Sequence, residues 1–405
     1  MTKTKIYFLV MGLLISSFVF AQVENPFDVK WHNGFKFESA DKQFKLKFGG
    51  RIMYDLAFFS QDDTLENAFG NLNNGTEFRR ARFYSAGQLY HNVKYKLQLD
   101  FASGNISFKD VYIELVKLPA VGNFRVGHFK EPFRLEALTS SKYITFMERA
   151  FPIEFFPERN TGFMFYNDLL SKRISWQAGF FRRSDGTGND KQADDGYNIT
   201  GRLTGLPINN KEKRQLLHLG LAYSYRKPDN KTYEIKSKPE SHLANDYVST
   251  GTIGDVDNIN LIGTEAALVL GSFSIQGEFV HSSVRAKTDT TANNYSFSTY
   301  YGQVSYFLTG ENRNYKNSYL GFDRVSPKNN FGNGKGGLGA LEIALRYSGI
   351  NLDSDSIIGG QLNNITIGLN WHLNPATRIM TNYVLAQLNN VGNANIFQIR
   401  LQIDF

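Results

Sequence analysis

The sequence predicts an all-β protein that crosses a membrane as an antiparallel β-barrel of about sixteen strands. One observation is a repeated alternation of apolar and polar residues, the pattern of a strand with two different faces. Another is the composition, because aromatic residues make up 14% of the chain and 36 glycines stand against 10 prolines. Finally, no stretch after residue 21 is apolar enough for a spanning helix. A chain that spans lipid without such helices must close into a barrel, since every backbone polar group needs a partner there.

Two segments show the alternation most clearly. Residues 93–101 alternate without a break, and residues 397–405 carry Phe, Ile or Leu at every second position. A soluble antiparallel sheet alternates in the same way. The predicted segments, however, are ~9–15 residues long, whereas strands of soluble proteins average about five or six. Aromatic residues also cluster near segment ends, which is typical of the girdles at the two membrane interfaces.

The alternation divides the chain into sixteen predicted strands, an even number, as single-chain bacterial barrels have. These strands are residues 44–59, 76–90, 92–103, 107–118, 122–130, 160–168, 172–184, 196–206, 214–227, 257–270, 272–286, 293–309, 338–350, 360–373, 376–390 and 395–405. A weaker stretch, 245–253, would make the number odd, and we place it in a loop.

The connections are expected to alternate between long outer loops and short inner turns, with the amino terminus on the inner side. The predicted outer loops are residues 60–75, 104–106, 131–159, 185–195, 228–256, 287–292, 351–359 and 391–394. The predicted inner turns lie around residue 91 and at 119–121, 169–171, 207–213, 271, 310–337 and 374–375. Turn 310–337 departs from the rule, because it is long and ends in a glycine-rich stretch.

Residues 1–21 have the features of a secretory leader. Lys3 and Lys5 precede an apolar run from Ile6 to Phe20, and Ala21 is a small residue at which cleavage can occur. The run of about 15 residues is shorter than the ~20 that a spanning helix needs. We therefore expect three parts: a leader at 1–21, a periplasmic lead-in at 22–43 and an outer-membrane barrel at 44–405. A membrane anchor or a buried helix is the alternative for the apolar run.

Motifs for catalysis, cofactors and metals are missing from the sequence. The chain has no cysteine, which excludes disulfides and thiol chemistry. It has no His-Glu-x-x-His, no Gly-x-Ser-x-Gly and no phosphate-binding Gly-Lys-Ser/Thr loop. Gly332, Gly334 and Gly337 match the dinucleotide fingerprint by letters only, and the histidines lack metal-ligand spacing. We therefore predict no catalytic residue, no cofactor, no metal and, for an exported chain, no nucleic-acid partner.

Charged residues on the polar faces of the predicted strands are candidates for a pore lining. Basic side chains there would raise the local anion concentration and bind phosphate oxygens through charge-assisted hydrogen bonds. The basic candidates are Arg80, Arg82, Lys94, Lys96, Arg125, Arg202, Arg346 and Arg400. Acidic residues share the same phase, namely Asp100, Asp110, Glu114, Glu278, Glu342 and Asp404. Each inward charge has an alternative role in a salt bridge that holds the wall, so a modest anion preference is expected.

Segment 131–159 does not alternate, and it combines three prolines with several phenylalanines and balanced charge. A long loop with so many apolar groups should pack against the protein. Folded into a wide barrel, it would narrow the channel. Its basic residues, opposed by five glutamates, would then lie at the constriction: Arg134, Lys142, Arg149 and Arg159. The alternatives are a loop that covers the barrel rim and a contact between subunits.

Several short stretches, taken in their order and spacing, resemble the phosphate-selective porins of the O/P type, in the version common in Bacteroidetes-like bacteria. The stretches are 126–133, 148–149, 159–162, 306–311, 322–327, 342–348, 368–375 and the terminal Phe405. The resemblance implies a 16-stranded outer-membrane barrel, a trimer, and a third outer loop folded into the pore, which by our numbering is 131–159. It also implies that a long inner turn before the last strands is tolerated. An aromatic residue such as Phe405 would be read by the assembly machinery.

We therefore expect a porin in the outer membrane of a Gram-negative bacterium, without enzymatic activity. It would pass small hydrophilic solutes by diffusion, with phosphate as the leading candidate, and would contact the lipid bilayer, lipopolysaccharide and two further copies of itself. A second hypothesis is a porin for saccharides or other organic solutes, in which Tyr143, Phe146 and Phe155 form a sliding surface. A third hypothesis is a barrel enzyme or an adhesin.

Overall fold

The computed structural model describes residues 27–31, 33–102, 104–156, 158–185, 187–188, 196–287, 292–332, 334 and 336–405. The predicted leader and the first part of the lead-in lie outside these residues. The strands are β1 (Phe27–Trp31), β2 (Phe35–Ser39), β3 (Phe44–Gln61), β4 (Gly75–Leu89), β5 (Val93–Asp100), β6 (Ser107–Leu118), β7 (Gly122–Lys130), β8 (Arg159–Leu169), β9 (Ile174–Arg182), β10 (Tyr197–Asn210), β11 (Gln215–Lys227), β12 (Lys236–Ser237), β13 (Val248–Ser249), β14 (Val256–Leu270), β15 (Phe273–Lys287), β16 (Ala292–Phe307), β17 (Asn314–Asn317), β18 (Gly321–Asp323), β19 (Ala340–Ser354), β20 (Ile357–Asn374), β21 (Thr377–Leu388) and β22 (Gly392–Asp404).

Sixteen of these strands form a closed antiparallel barrel: β3–β11, β14–β16 and β19–β22. Each pairs with the next along the chain, and β22 pairs with β3, for example through Leu401 and Tyr54. The prediction of sixteen strands is confirmed, and each predicted segment overlaps one barrel strand. The bounds differ by a few residues, as in β10, which continues to Asn210 because its pairing with β11 resumes after a register shift.

The two faces of each strand differ as the alternation predicts. On β11, Leu219 and Leu221 are 45% and 55% exposed, whereas His218 and Ser224 are fully buried. The exposed apolar face points outward to lipid, and the buried polar face points into the barrel. Among the described helices, α1 (Asp63–Phe69), α2 (Leu135–Leu138) and a 3-10 helix (Phe151–Phe155), none is long and apolar enough to cross a membrane.

Among the connections that the structure describes, three reach into the barrel interior. The first, residues 131–158 between β7 and β8, contains α2 and the 3-10 helix, and we call it the inserted loop. The second, residues 228–255, carries β12 and β13, so the weak stretch 245–253 contributes no barrel strand. Its Glu240 reaches Arg346 at 2.6 Å. The third, residues 310–339, which we call the inner hairpin, contains β17 and β18. The predicted inner turn 310–337 is therefore a folded element that contacts inward-facing residues.

Candidate functional site

The inserted loop is held against the far side of the barrel through its own backbone. The carbonyl oxygen of Ile144 accepts a hydrogen bond from Arg378 (2.9 Å), and that of Thr145 accepts one from Asn370 (2.8 Å). Both donors point inward from β20 and β21, so the segment reaches across the interior from the β7–β8 side. A buried backbone outside a sheet needs such donors, because buried peptide groups are almost always hydrogen-bonded.

Glu148 of the inserted loop lies among three guanidinium groups. Arg79 donates to its two carboxylate oxygens at 2.9 and 3.0 Å, Arg400 donates at 2.7 Å, and Arg80 lies 3.7 Å away. Arg400 also pairs with Asp55 at 2.6 Å. Burial raises the pKa of Glu148, but the three guanidinium groups outweigh burial and hold that pKa well below its ordinary value. The carboxylate is therefore ionised and fixes the loop to β4 and β22.

Arg79 is a residue that the sequence reasoning missed. Strict alternation places it on the lipid face of β4, opposite to Arg80. The pairing of β3 with β4 shifts between Met53 and Tyr54, so Arg79 is an additional residue on its strand. Such a bulge turns the side chain locally, and both Arg79 and Arg80 reach Glu148. No local signal in the sequence marks this bulge.

The inner hairpin meets the inserted loop inside the barrel. The backbone N–H of Phe322 donates to the Thr139 hydroxyl at 3.3 Å, and Arg324 donates to the Tyr143 hydroxyl at 3.3 Å. Gly321, which directly precedes Phe322, has a φ of +63°. A Cβ atom at this position would lie 2.2 Å from the Thr139 hydroxyl oxygen. Only glycine permits both this backbone and this approach. The two connections therefore form one partition, and an open space lies between it and β3–β9.

That space is a cavity of about 320 Å³ between the partition and the inward faces of β3–β9, which we call the basic chamber. Of the described residues, ten with basic side chains line it: Lys47, Arg51, Arg82, Lys96, Arg125, Lys130, Lys142, Arg149, Arg159 and Lys316. Three acidic side chains line it: Asp110, Glu158 and Asp323. The lining thus has the clear excess of positive charge that the composition of the inserted loop alone does not show.

Several carboxylates that neutralise chamber cations are set back in the wall. They are buried and do not belong to the lining, although each forms an ion pair with a residue that does. The pairs are Arg82–Asp100 at 2.6 Å, Arg125–Glu114 at 2.6 Å and Lys142–Asp404 at 3.0 Å. The Arg125 guanidinium also lies 4.2 Å from the centre of the Tyr112 ring. Each cation is therefore held in place by a carboxylate outside the lining, which offsets part of its charge at the chamber.

Arg51 and Lys47 differ from these paired cations. In the described part of the chain, no carboxylate lies within ion-pair distance of either side chain. Arg51 donates instead to the hydroxyls of Ser141 (2.7 Å) and Ser140 (3.3 Å), and its Nε atom is buried without a hydrogen-bond partner. The partners of Arg51 in the inserted loop are therefore neutral hydroxyl groups, and no ion pair among the described residues cancels its charge.

The predicted wall residues fall into three groups. Those that line the basic chamber are Arg82, Lys96 and Arg125. Those that are fully or almost fully buried away from it are Arg80, Arg202, Arg346 and Arg400. Lys94 is exposed at the inner end of β5 and lies outside the chamber lining. Predicting the inward face of a strand correctly was therefore not sufficient to predict which residues line the basic chamber.

The buried arginines hold the inserted connections. Arg202 forms an ion pair with Glu265 and donates to the carbonyl oxygen of Ser318 in the inner hairpin at 2.7 Å. Arg346 donates to the carbonyl oxygen of Glu148 at 3.0 Å and pairs with Glu240. These contacts join the wall to the inserted connections, so the two side chains act as supports for the partition.

The predicted constriction residues are also divided. Lys142, Arg149 and Arg159 line the basic chamber, and Arg149 pairs with Glu158 at 2.8 Å. Arg134 is buried outside the lining, and none of its three guanidinium nitrogens has a hydrogen-bond partner among the described residues.

The proposed aromatic sliding surface is wrong for two of its three residues. Phe146 is completely buried with its ring 4.4 Å from the Arg346 guanidinium. Phe155 is 2% exposed and belongs to an apolar cluster beneath the outer loops. Only Tyr143 lines the basic chamber. The aromatic side chains of the inserted loop therefore act chiefly in packing.

A second cavity of about 590 Å³ lies on the outer side, at the ends of β9–β11. Its basic lining residues are Arg182, Arg183, Arg226, Lys227 and Lys236, and its acidic ones are Glu154, Asp229 and Glu234. The Arg226 guanidinium lies 4.0 Å from the centre of the Phe156 ring and pairs with Glu131. Within the described residues, no group of three His, Asp or Glu side chains is placed to hold a metal ion. The described interior therefore contains two charged cavities, one between the partition and β3–β9 and one at the outer ends of β9–β11.

Comparisons with known proteins agree on the kind of molecule. The family model described as "Phosphate-selective porin O and P" matches residues 46–405. Porin O of Pseudomonas aeruginosa is 27% identical over 405 residues, which cover 91% of this chain and 88% of that protein.

Among solved structures, the anion-selective porin from Comamonas acidovorans has a TM-score of 0.55 at 14% identity, covering 89% of this chain and 100% of that one. The trimer form of OmpT from Vibrio cholerae also has a TM-score of 0.55, at 10% identity, covering 89% and 99%. At these identities the likeness shows the fold.

Proposed function

The chain belongs to the family of phosphate-selective porins O and P, because the family model covers residues 46–405, and from this membership we propose that it conducts small anions, with phosphate as its leading substrate. It is an outer-membrane porin of a Gram-negative bacterium. Its relatives are channels rather than enzymes, and we propose no catalytic role for it.

The observation that carries the anion proposal is the lining of the basic chamber, with ten basic and three acidic side chains. Rows of one sign of charge in a water-filled passage raise the local concentration of the opposite ion. A unit charge roughly 7 Å from the path contributes roughly 0.6 kcal/mol in water, which is about a threefold change in local concentration. Several such charges together favour anions over cations.

We place the strongest anion contact at Arg51. Its charge faces no carboxylate, and the hydroxyls of Ser140 and Ser141 lie beside it. Arg82 and Lys142 line the same cavity. Phosphate oxygens accept charge-assisted hydrogen bonds from guanidinium and ammonium groups and ordinary ones from hydroxyls. A phosphate ion can therefore exchange its water shell for these donors and leave again, because no single group encloses it.

We further propose that the inserted loop sets the size limit. Its carbonyl contacts with Arg378 and Asn370 and its ion pairs through Glu148 fix it against the far wall. A solute must then pass between this partition and β3–β9.

The test is single-channel recording of the full-length protein in a planar bilayer. The reversal potential in a KCl gradient gives the anion-to-cation permeability ratio, and added phosphate is titrated against the chloride current. We expect anion selectivity and a current reduced by phosphate. In Arg51→Gln the permeability ratio should fall by up to about threefold, and the phosphate block should weaken.

Lys94→Gln is the matched control, since it removes one inward-phase positive charge outside the chamber lining. Equal effects of the two variants would overturn the assignment to the chamber. A current indifferent to phosphate would overturn the phosphate proposal, and a current blocked by sugars instead would favour the saccharide alternative.

The remaining features of the chain are proposals as well. We propose a homotrimer, since the similar OmpT is described in a trimer form, and a contact with lipopolysaccharide, which follows from the location. Residues 1–21 as a cleaved leader, 22–43 as a periplasmic lead-in and membership of the Bacteroidetes-type branch also remain proposals. Amino-terminal sequencing of the mature protein and its mass in mild detergent test the leader and the trimer.

A further inference from the structure

Two strands outside the barrel extend its sheet at the inner rim. β2 pairs with the beginning of β3, for example Phe35 with Phe48 and Phe37 with Leu46, and β1 pairs with β2. β22 pairs with β3 only from Arg51 onward. The β1–β2 hairpin therefore occupies the edge of β3 that the last barrel strand leaves free.

The hairpin has one apolar and one charged face. Large apolar side chains at alternate positions are about half exposed: Phe27 51%, Val29 53%, Trp31 57% and Phe35 53%. The opposite face carries Asp28, Lys30, Lys36 and Glu38. Lys30 pairs with Asp28, and Glu38 pairs with Lys45 at 2.9 Å, so this face is nearly neutral and suited to water. Exposed apolar clusters of this kind mark contact surfaces.

The apolar face continues the lipid-facing surface of the barrel. On β3, Lys47 lines the basic chamber, so its neighbours Leu46 and Phe48 point outward. Phe37 packs edge-on against Phe48 with 6.1 Å between ring centres, and Phe48 stacks on Phe83 of β4. One apolar surface thus runs without interruption from the barrel wall onto the hairpin.

We propose that the β1–β2 hairpin binds the inner leaflet of the outer membrane, with its apolar face at the boundary between lipid headgroups and acyl chains. The position at the inner rim places it at the level of that boundary. Tryptophan and other aromatic side chains prefer this zone, because their rings are apolar and tolerate a wet edge. The hairpin would fix the depth of the barrel in the membrane, and this role is independent of the solute that the channel conducts.

Tryptophan fluorescence can test the proposal directly, because the chain has three tryptophans, Trp31, Trp176 and Trp371. A Trp176→Phe/Trp371→Phe variant leaves Trp31 as the sole reporter in the full-length protein reconstituted into phosphatidylcholine vesicles. We expect quenching by lipids brominated near the headgroup to exceed quenching by lipids brominated near the chain end. Aqueous iodide should quench weakly. A variant that keeps only Trp176, on the outward face of β9, is the positive control for lipid contact.

Introducing a charge into the apolar face gives a second readout. In the Trp31-only protein, Val29→Asp should reduce the quenching by brominated lipid several-fold, whereas Lys30→Gln on the opposite face should leave it unchanged. Channel conductance should be unchanged in both, which separates this inference from the proposed solute path. Quenching by iodide and not by brominated lipid would overturn the proposal. Protection from both quenchers would also overturn it, in favour of a contact with a second copy of the chain.

Discussion

The two halves of the barrel wall use the same residue type for different purposes. On β3–β9, side chains that line the basic chamber keep contact with its water, with Arg82, Arg125 and Lys96 10%, 16% and 24% exposed. On β10–β22, Arg202 and Arg400 are completely buried in ion pairs. The inserted loop contacts both halves, and the basic chamber lies along the first.

An inward basic residue lines the basic chamber only where no inserted segment covers it. Arginines on the far wall, formed by β10–β22, donate to backbone carbonyls and to Glu148 and Glu240. On the near wall, formed by β3–β9, Arg82 and Arg125 have carboxylate partners outside the chamber lining. Arg51 has none, and Arg79 contacts Glu148 of the inserted loop. Basic side chains of the far wall therefore support the partition, whereas several on the near wall also line the basic chamber.

The largest effect is expected from breaking the far wall at Arg400. Arg400→Met leaves Asp55 and Glu148 buried without their shared partner, and the free energy of unfolding should fall by about 3–5 kcal/mol. Urea unfolding in lipid vesicles, followed by tryptophan emission, measures the loss. Lys96→Met removes a partly exposed pair on the near wall and should cost at most about 1 kcal/mol. Equal losses would contradict the distinction between the two walls.

A smaller effect is expected from separating the inner hairpin from the inserted loop. Gly321→Val forces a Cβ against Thr139 at a positive φ, and the strain should lower stability by about 1–3 kcal/mol and increase current noise as the partition loosens. Gly332→Val is the control, because Gly332 has a similar φ of +70° and open space around its Cβ position. If both variants gave the same noise in single-channel records, the contact with Thr139 would not matter.

The contribution of the near wall to anion selectivity can be tested by removing a carboxylate that lies behind the chamber lining. Glu114→Gln leaves Arg125 in place on the Tyr112 ring and uncovers its charge, so the anion-to-cation permeability ratio should rise by up to about threefold. Glu265→Gln on the far wall should leave the ratio unchanged. Reversal potentials in a KCl gradient measure both, and a rise in the second variant would refute the proposed division of the interior.

The smallest effect is expected from the titration of Lys142. Burial lowers its pKa, Asp404 raises it, and Arg51 and Arg324 lower it further, to about 8. Lys142 is therefore charged below this pH and neutral above it, and chloride selectivity should decrease between about pH 7 and pH 9. Arg keeps its charge in this range, so Lys142→Arg should abolish the step. A step of the same size in that variant would assign it to another group.

Alternation between neighbouring residues was sufficient to predict the barrel and the face of most side chains. His218 and Leu219 lie on opposite faces, as their spacing requires. The bulge that turns Arg79 inward was not predictable, because it depends on how β3 and β4 pair. The folding of residues 310–337 into the barrel was also missed, since its contacts join residues far apart in the chain, such as Ser318 and Arg202.

The sequence by itself determined the number of strands, their apolar and polar faces and the family, because each of these depends on residue types at short, regular spacing. Only the tertiary structure decided which charges meet water. Arg82 and Arg400 have the same phase on their strands, yet one lines the basic chamber and the other is enclosed by Asp55 and Glu148. The physical reason is that the effective charge of a side chain depends on its partners, and the inserted connections bring those partners from distant parts of the chain.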